Sequence, residues 1–220
     1  MPDVEVMPAG DGREPVLVPA ARLPNGFVFW PIAMVVVLAD VVTKAIAVAT
    51  LAPALIPHSV FGEFARLTLV YNRGAAFGIH VWPYSRPIFA VLTIAALGIL
   101  WRLYRASDPS DRKRVIALAL VSAGAVGNLI DRVRSSRGVV DFIDLGTATW
   151  RWPTFNIADI AVTTGAVLLA MVLWEEDRAA AREAAEAGAI VHAPLADPAP
   201  GDAVHVDGPV AVAAERGGIA

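Results

Sequence analysis

Four long apolar segments constrain this chain more than any other feature of its sequence. They cover about residues 27–50, 87–104, 115–133 and 157–174. At about 1.5 Å per helical residue each segment is roughly 27–36 Å long, which is enough to cross a hydrocarbon core of about 30 Å. The chain is 56% hydrophobic and only 18% charged, a balance that favours a membrane protein over a soluble one. We therefore predict an all-α membrane protein with four transmembrane helices.

Basic residues set the orientation that we predict for these spans. Cytoplasmic loops of membrane proteins carry an excess of Lys and Arg. The connection between the second and third spans is rich in both, with Arg102, Arg105, Arg112, Lys113 and Arg114. This connection is therefore predicted to be cytoplasmic. Since consecutive spans are antiparallel, both termini also face the cytoplasm, and the long loop after the first span faces outward.

The two ends of the chain differ in composition from the four-span domain, residues 27–174. Residues 1–26 are rich in proline, glycine and acids, and they lack the basic start and apolar stretch of a cleavable signal peptide. We predict a disordered cytoplasmic extension there. Residues 175–220 form an acidic tail rich in alanine and proline, also predicted to be cytoplasmic. Its first part, residues 175–187, is able to prolong the fourth helix.

Several classes of protein and site lack support in the sequence. The chain has no cysteine, which excludes disulfides, a thiol nucleophile and a thiolate metal site. Its four histidines are scattered, and none belongs to the His-Glu-x-x-His pattern of a zinc peptidase. No dense cluster of Lys and Arg points to nucleic acid. We predict no metal, no cofactor and no nucleic-acid partner.

The outer loop between the first two spans contains one predicted strand. Residues 64–72 are rich in β-branched and aromatic side chains with partial alternation. The next residues, 73–78, include two glycines and two alanines, which allow close approach of the backbone. One interpretation is an ordinary tight turn. The other is a lid or cradle over a bound peptide, with Asn72 and Gly74 near the ligand and Phe77 as an apolar contact.

Polar residues at membrane depth converge on one face of the membrane. In four antiparallel spans, the end of span one, the end of span three and the start of span four meet at the same surface. Those are the places where this chain carries its intramembrane polar side chains: Asp40, Lys44, Asn128, Asp131, Arg132, Asn156 and Asp159. The sequence therefore predicts a single polar site near one surface.

The polar and small residues of spans one and three also have structural explanations. Asp40 and Lys44 lie one helical turn apart, so they form either a self-neutralising pair or a device that orients a substrate or the outer loop. Gly124 and the neighbouring small residues are predicted to let helices pack closely. For Asn128, Asp131 and Arg132, which share one face, we predict structural or site-supporting roles.

Asp141 and Asp159 are the candidates for chemistry: Asp159 has no basic residue three or four positions away, and the one near Asp141, Arg137, lies outside the predicted spans. An ionisable residue at membrane depth costs roughly 2.5–3.5 kcal/mol on insertion scales, which makes a functional role the default hypothesis. The alternative is a structural cap, since a carboxylate such as Asp159 is favoured at the start of a helix. Two carboxylates that share one proton can activate water and protonate a carbonyl oxygen, as in an aspartic protease.

These residues fall into five ordered motifs that resemble a known family. The motifs are Asp40-x-x-Thr-Lys44, Asn72-x-Gly-Ala-Ala-Phe77, Gly127-Asn128-x-x-Asp131-Arg132, Val139-Val140-Asp141-Phe142 and Phe155-Asn156-x-Ala158-Asp159. Over about residues 38–174 the set resembles the lipoprotein signal peptidases (signal peptidase II). The resemblance implies an intramembrane aspartic endopeptidase that cleaves prolipoproteins just before a diacylglyceryl-modified cysteine.

The resemblance also implies roles for individual residues and a setting for the site. Asp141 and Asp159 become the catalytic pair, near the extracytoplasmic face of the cytoplasmic membrane. The outer loop becomes a small extracytoplasmic β-cradle with a loop helix, and the expected partners are lipidated prolipoprotein, membrane lipids and the inhibitor globomycin. We expect a monomer. Residues matched to substrate-binding or site-supporting positions are Asp40, Lys44, Asn72, Gly74, Phe77, Asn128, Asp131, Arg132, Asn156 and Ala158.

Other classes of function make different predictions. A proton- or ion-coupled transporter would use the aspartates as relay sites spread through the membrane depth. Here they gather near one face, and the second span has no ionisable residue between Pro87 and Leu100. A structural subunit, whose polar residues only join helices, would tolerate Asp→Asn changes that leave it folded. A serine intramembrane protease is disfavoured because no serine and histidine occupy the spans at converging depths.

Overall fold

A computed structural model describes residues 4–7, 16–19, 24–74 and 84–191. It contains four long helices, α1 (Gly26–Thr50), α2 (Ser85–Ala106), α3 (Arg112–Arg134) and α4 (Ile157–Val191). All four include a stretch that is long and apolar enough to cross a membrane, which confirms the four predicted spans. The last helix continues through the Ala/Glu/Arg stretch beyond residue 174. The chain up to Asp177 forms one compact unit, and the helical residues from Arg178 belong to a second.

Two short strands, β1 (Val4–Met7) and β2 (Val16–Pro19), pair in antiparallel fashion near the start of the chain. They lie within the stretch for which the sequence predicts disorder. They cover only part of residues 1–26, so the disordered cytoplasmic extension stays a prediction. The tail beyond residue 191 lies outside the described residues.

A three-stranded antiparallel sheet lies outside the spans. Its order is β3 (Pro57–Phe61), β4 (Ala65–Asn72) and β5 (Val139–Leu145). The central strand β4 confirms the strand predicted over residues 64–72. Its partner β5 comes directly after α3, and Asn72 pairs with Val139 while Val70 pairs with Asp141. This register brings the second motif beside the fourth.

The outer-loop helix implied by the resemblance is not among residues 51–74, where the structure has strands and turns. Residues 75–83, which include Phe77, lie outside the described part of the chain. The helix prediction and the role of Phe77 therefore stay predictions.

Small residues let the helices approach closely around α3. A Cβ atom added at Gly124 would lie against the carbonyl oxygen of Ala158 and 2.7 Å from a methyl carbon of Val162, both in α4. One added at Gly127 would lie 2.5 Å from Oδ2 of Asp40 in α1. These contacts agree with the close packing predicted for this part of the chain, and they set α3 directly against α1 and α4 near the polar end of the bundle.

A cluster of apolar side chains attaches the sheet to the helices. Ala47 and Leu51, at the end of α1, pack with Leu69 of β4 and with Val140 and Phe142 of β5. Because Val140 and Phe142 flank Asp141, burial of these two side chains fixes the strand that carries this carboxylate. The sheet is thereby held against the end of the helix bundle where α1 ends and α4 begins.

Candidate active site

Asp141 lies in β5 with only 2% of its surface exposed. Its Oδ2 atom accepts a hydrogen bond from the side-chain amide of Asn72 at 3.1 Å, and its Oδ1 atom accepts one from the amide of Asn156 at 2.7 Å. Burial, helped by the negative charge of Asp159, raises the pKa of Asp141 to about 7, although the two amide hydrogen bonds act in the opposite direction. This carboxyl group is therefore able to hold a proton near neutral pH.

Asp159 lies in the first turn of α4, where the free N–H groups of the helix favour a negative charge. Its Oδ1 atom accepts a hydrogen bond from the side-chain amide of Asn128 at 2.8 Å. Its Oδ2 atom accepts one from the backbone N–H of Asn156 at 3.1 Å, while Oδ1 of Asn156 accepts the backbone N–H of Asp159 at 3.0 Å. This reciprocal pair is a capping box, which fixes Asp159 at the start of the helix.

Asn156 joins the two aspartates. It is fully buried, and besides capping α4 it donates from Nδ2 to Asp141, to Oδ1 of Asn128 at 3.1 Å and to the carbonyl of Val140 at 3.3 Å. One asparagine side chain thus contacts β5, α3 and its own helix. Any shift of α4 relative to β5 would break several of these bonds together.

Lys44 holds the supporting part of the network together. Its buried ammonium group lies 2.8 Å from Oδ2 of Asp40, 3.0 Å from Oδ2 of Asp131 and 3.0 Å from Oδ1 of Asn128. An ammonium group has three N–H donors, and three oxygen atoms surround this one within 3.0 Å. The self-neutralising pair of Asp40 and Lys44 predicted from the sequence is therefore present, with two more acceptors added by α3.

The acids paired with Lys44 also hold backbone groups of the neighbouring elements. Oδ1 of Asp40 accepts the backbone N–H of Ala158 at 2.9 Å, which satisfies another free N–H at the start of α4. Oδ2 of Asp131 accepts the backbone N–H of Val140 at 3.1 Å. The Asp40–Lys44–Asp131 cluster therefore positions both segments that carry the candidate catalytic aspartates.

Arg132 lies at the edge of the site. It donates to the backbone carbonyl of Asn128 at 3.1 Å, and its charge acts on Asp159, Asp141 and Asp131. Gly74 contributes through its backbone N–H, which donates to Oδ1 of Asn72 at 3.0 Å and thereby turns the Asn72 amide toward Asp141. All predicted site residues within the described ranges belong to this one region.

Sequence reasoning missed Arg86, in the first turn of α2. It donates to the backbone carbonyls of Arg132 and Val133, the latter at 2.9 Å, and so supplies a positive charge at the end of α3. Antiparallel spans place the start of α2 beside the end of α3, so a basic residue at that position was an available signal.

A second group that the sequence did not predict surrounds Asp144 on β5. Its carboxylate accepts hydrogen bonds from Arg151, from Thr68 at 2.8 Å and from Arg66 at 3.3 Å. Although burial acts to raise it, the pKa of Asp144 is lowered because the hydrogen bonds from Arg151 and Thr68 and the two arginine charges favour the ionised form. Asp144 is thus held as a paired anion, whereas Asp141 in the same strand is held without a salt bridge among the described residues.

An apolar cavity of about 440 Å³ lies elsewhere, between α1, α2 and α3. It is lined by residues such as Phe29 and Trp30 at the start of α1 and Trp101 near the end of α2. None of the polar residues of the site lines it. Within the described ranges, no group of three or more His, Cys, Asp or Glu side chains could hold a metal ion.

Comparison with known proteins confirms the family that the five ordered motifs resemble. The family model for signal peptidase (SPase) II matches residues 32–175. The chain belongs to the signal peptidase II family. The lipoprotein signal peptidase of Polynucleobacter necessarius is 42% identical over 150 residues, which cover 67% of this chain and 87% of that protein. That of Paraburkholderia phytofirmans is 43% identical over 143 residues, 64% of this chain and 80% of the relative.

Solved structures agree with this family membership. One described as a bacterial membrane enzyme structure by the in meso method at 2.3 Å resolution has a TM-score of 0.59 and 34% sequence identity. The match covers 69% of this chain and 90% of that one. A second, at 1.9 Å resolution, has a TM-score of 0.56 and 36% identity, and it covers 67% and 92% of the two chains.

Membership in the signal peptidase II family decides between the functions considered above. The chain is an aspartic peptidase that removes signal peptides from prolipoproteins during lipoprotein maturation, and it is neither a transporter nor a purely structural subunit. It is a multi-pass membrane protein, and its bacterial homologues place it in the cytoplasmic membrane.

Proposed function

We propose that Asp141 and Asp159 are the catalytic dyad of this signal peptidase II. The observation that carries the proposal is that one buried asparagine, Asn156, hydrogen-bonds both carboxylates. The environments of the two groups differ in the way that a dyad requires. Asp141 is buried with a pKa of about 7 and carries the proton, while Asp159 at the start of α4 carries the charge.

In the proposed reaction Asp159 removes a proton from a water molecule, whose oxygen attacks the scissile carbonyl carbon. Asp141 donates its proton to the carbonyl oxygen, so no free oxyanion builds up in a region of low dielectric constant. The C–N bond then breaks as Asp159 passes the proton from water to the leaving amine. Asp141 recovers its proton when the new carboxyl group forms, which returns the dyad to its starting state.

The remaining site residues have supporting roles in this proposal. Asn72, positioned by Gly74, and Asn156 hold Asp141. Asn128 holds Asp159, and Lys44 with Asp40 and Asp131 fixes α1, α3 and α4 around them. Ala158 contributes its backbone N–H. Arg132, whose charge acts on both aspartates, and Phe77 are proposed to contact the substrate.

The proposed substrate is a prolipoprotein already modified with diacylglycerol, cut just before the modified cysteine. Family membership and the position of the site at one membrane face support this, because a lipidated cysteine is anchored at that depth. The same argument supports sensitivity to globomycin-type inhibitors and contact with membrane lipids. We propose that the chain acts as a monomer.

The basic connection between α2 and α3 supports an orientation with both termini in the cytoplasm and the site near the extracytoplasmic face. Because the chain has no cysteine, single-cysteine labelling can test it directly. In intact spheroplasts a membrane-impermeant maleimide should label Ser59→Cys, on exposed β3, and not Ser110→Cys, in the α2–α3 connection. The reverse pattern would show the opposite orientation.

The catalytic proposal is tested with purified Asp141→Asn and Asp159→Asn variants in bilayers, assayed on a lipidated precursor with and without globomycin. Each single variant should lose nearly all cleavage activity, because neither carboxyl can do the work of both. Asp177→Asn, at an exposed position of α4, is the control and should cleave normally. Folded variants of either candidate that cleave at the normal rate would refute the dyad.

A further inference from the structure

The sheet outside the membrane spans carries a group of exposed aromatic rings at the end away from Asn72. Phe61 and Phe64, at the turn between β3 and β4, are 74% and 64% exposed. Trp150 and Trp152, in the connection between β5 and α4, are 60% and 49% exposed. We refer to these four residues as the aromatic patch.

Hydrogen bonds between the two segments make the aromatic patch one surface. The backbone N–H of Gly146 donates to the carbonyl of Phe64 at 2.9 Å, and Nη1 of Arg151 donates to the carbonyl of Glu63 at 2.8 Å. The rings of Trp150 and Trp152 form an edge-to-face pair with centroids 6.1 Å apart. The patch is thus built on a fixed platform rather than on two independent loops.

The charged groups nearest the patch are paired with one another. Arg151 and Arg66 both bond to the carboxylate of Asp144 within the sheet. Arg66 also pairs with the exposed carboxylate of Glu63, in the same turn as Phe61 and Phe64. Together these two arginines and two acids carry no net charge beside the rings. Exposed apolar surfaces of this kind on a protein commonly mark a membrane or a protein contact.

The patch lies close in sequence to the points where the chain leaves the membrane. Trp152 is five residues before the start of α4 at Ile157. Exposed Leu55 and Ile56, which lead into β3, follow closely after the end of α1 at Thr50. α1 ends and α4 begins at the end of the helix bundle that packs against the sheet. Trp is enriched where spans meet the membrane surface because its ring is apolar with one polar N–H group.

We propose that the aromatic patch inserts into the boundary between the lipid headgroups and the acyl chains of the leaflet beside the sheet. The lipid surface then holds β4 and β5 at a fixed height, and with them Asn72 and Asp141. A peptidase whose substrate is anchored in the same leaflet needs that height to be constant. The inference rests on the chain spanning the membrane, and it does not depend on the catalytic assignment.

Single-cysteine reporters in the full chain test this contact. Phe61→Cys and Trp150→Cys, each labelled with the environment-sensitive dye NBD, are reconstituted in phospholipid nanodiscs, with labelled Ser110→Cys as the control. The expected result is blue-shifted emission at positions 61 and 150, strong quenching by lipids that carry a nitroxide near the headgroup, and weak quenching by aqueous iodide. At position 110, in the exposed α2–α3 connection, iodide should quench the dye strongly.

Two results would overturn the proposal. Strong quenching by iodide at positions 61 and 150 would place the patch in water. Protection from both the lipid nitroxide and iodide would show that protein covers it, as in contact with a second copy of the chain. Thermal unfolding of each labelled variant, measured against the wild type, shows that the comparison is made on folded protein.

Discussion

The side-chain amide of Asn156 lies 2.7 Å from Oδ1 of Asp141, the shorter of the two amide hydrogen bonds that this carboxyl group receives. The same asparagine caps α4 through its own Oδ1 atom. Support of Asp141 and the start of α4 therefore depend on one residue, and two substitutions can separate these tasks.

Asn156→Ser should keep the helix cap and remove the donor to Asp141, whereas Asn156→Ala should remove both. Ser caps helices about as well as Asn, and replacing a cap by Ala costs about 1 kcal/mol. We expect cleavage of the lipidated precursor to fall at least tenfold in both variants, with the unfolding temperature lower in the Ala variant. Equal unfolding temperatures would contradict the capping role, and normal cleavage by the Ser variant would contradict support of Asp141.

The pKa of about 7 for Asp141 predicts a dependence of cleavage on pH. If the protonated form is the active one, kcat/KM falls as the pH rises through about 7, because the general acid is lost. The hydrogen bond from Asn72 favours the ionised form, so Asn72→Ala should raise the pKa and move this decline to higher pH. This shift is measured from pH profiles of kcat/KM for the wild type and Asn72→Ala in the same bilayer. A decline that moves to lower pH in the variant would contradict the role of Asp141 as the general acid.

Lys44→Met should destabilise the protein strongly, because it leaves the fully buried Asp40 and the half-buried Asp131 without their cation. Removing one partner of a buried ion pair typically costs about 3–5 kcal/mol. The matched control is Lys113→Met, which breaks an exposed pair with Glu175 and should cost at most about 1 kcal/mol. Thermal unfolding in detergent compares the stability of the two variants. Adding Asp40→Asn to Lys44→Met should restore part of the lost stability, because it removes one of the two unpaired carboxylates.

Gly138 precedes β5 with a φ of +112°, a backbone conformation that residues with a side chain rarely adopt. A Cβ atom there would lie 2.7 Å from the carbonyl carbon of Asn72. Gly138→Ala should therefore displace Asn72 from Asp141 and reduce kcat. Gly98→Ala in α2, where a Cβ atom would meet nothing within 4 Å, is the control and should keep full activity.

Much of the fold was predictable because it depends on local pattern. The length and apolarity of each span are properties of a single segment. α1, α2 and α3 begin and end close to the predicted limits, whereas α4 begins where predicted and continues to Val191. Antiparallel connectivity then required Asp40, Asn128 and Asp159 to meet at one face, since consecutive spans reverse direction.

The sheet was only partly predictable. β4 has a strand-like composition of its own, but β3 is exposed along its length and β5 is seven residues long beside the end of a span. β5 becomes a strand because it pairs with β4, with partners such as Val70 and Asp141 that lie far apart in the chain. Such pairing depends on contacts that no short window of sequence contains.

The sequence by itself determined four spans, one polar face and the identity of the two candidate aspartates. Only the tertiary structure decided how those aspartates differ: Asp141 is buried in a strand between two amides, and Asp159 is fixed at the start of a helix. The physical reason is that protonation depends on burial and on hydrogen-bond partners in three dimensions. Both aspartates look alike along the chain, and the packing of β5 against α3 and α4 gives them different surroundings.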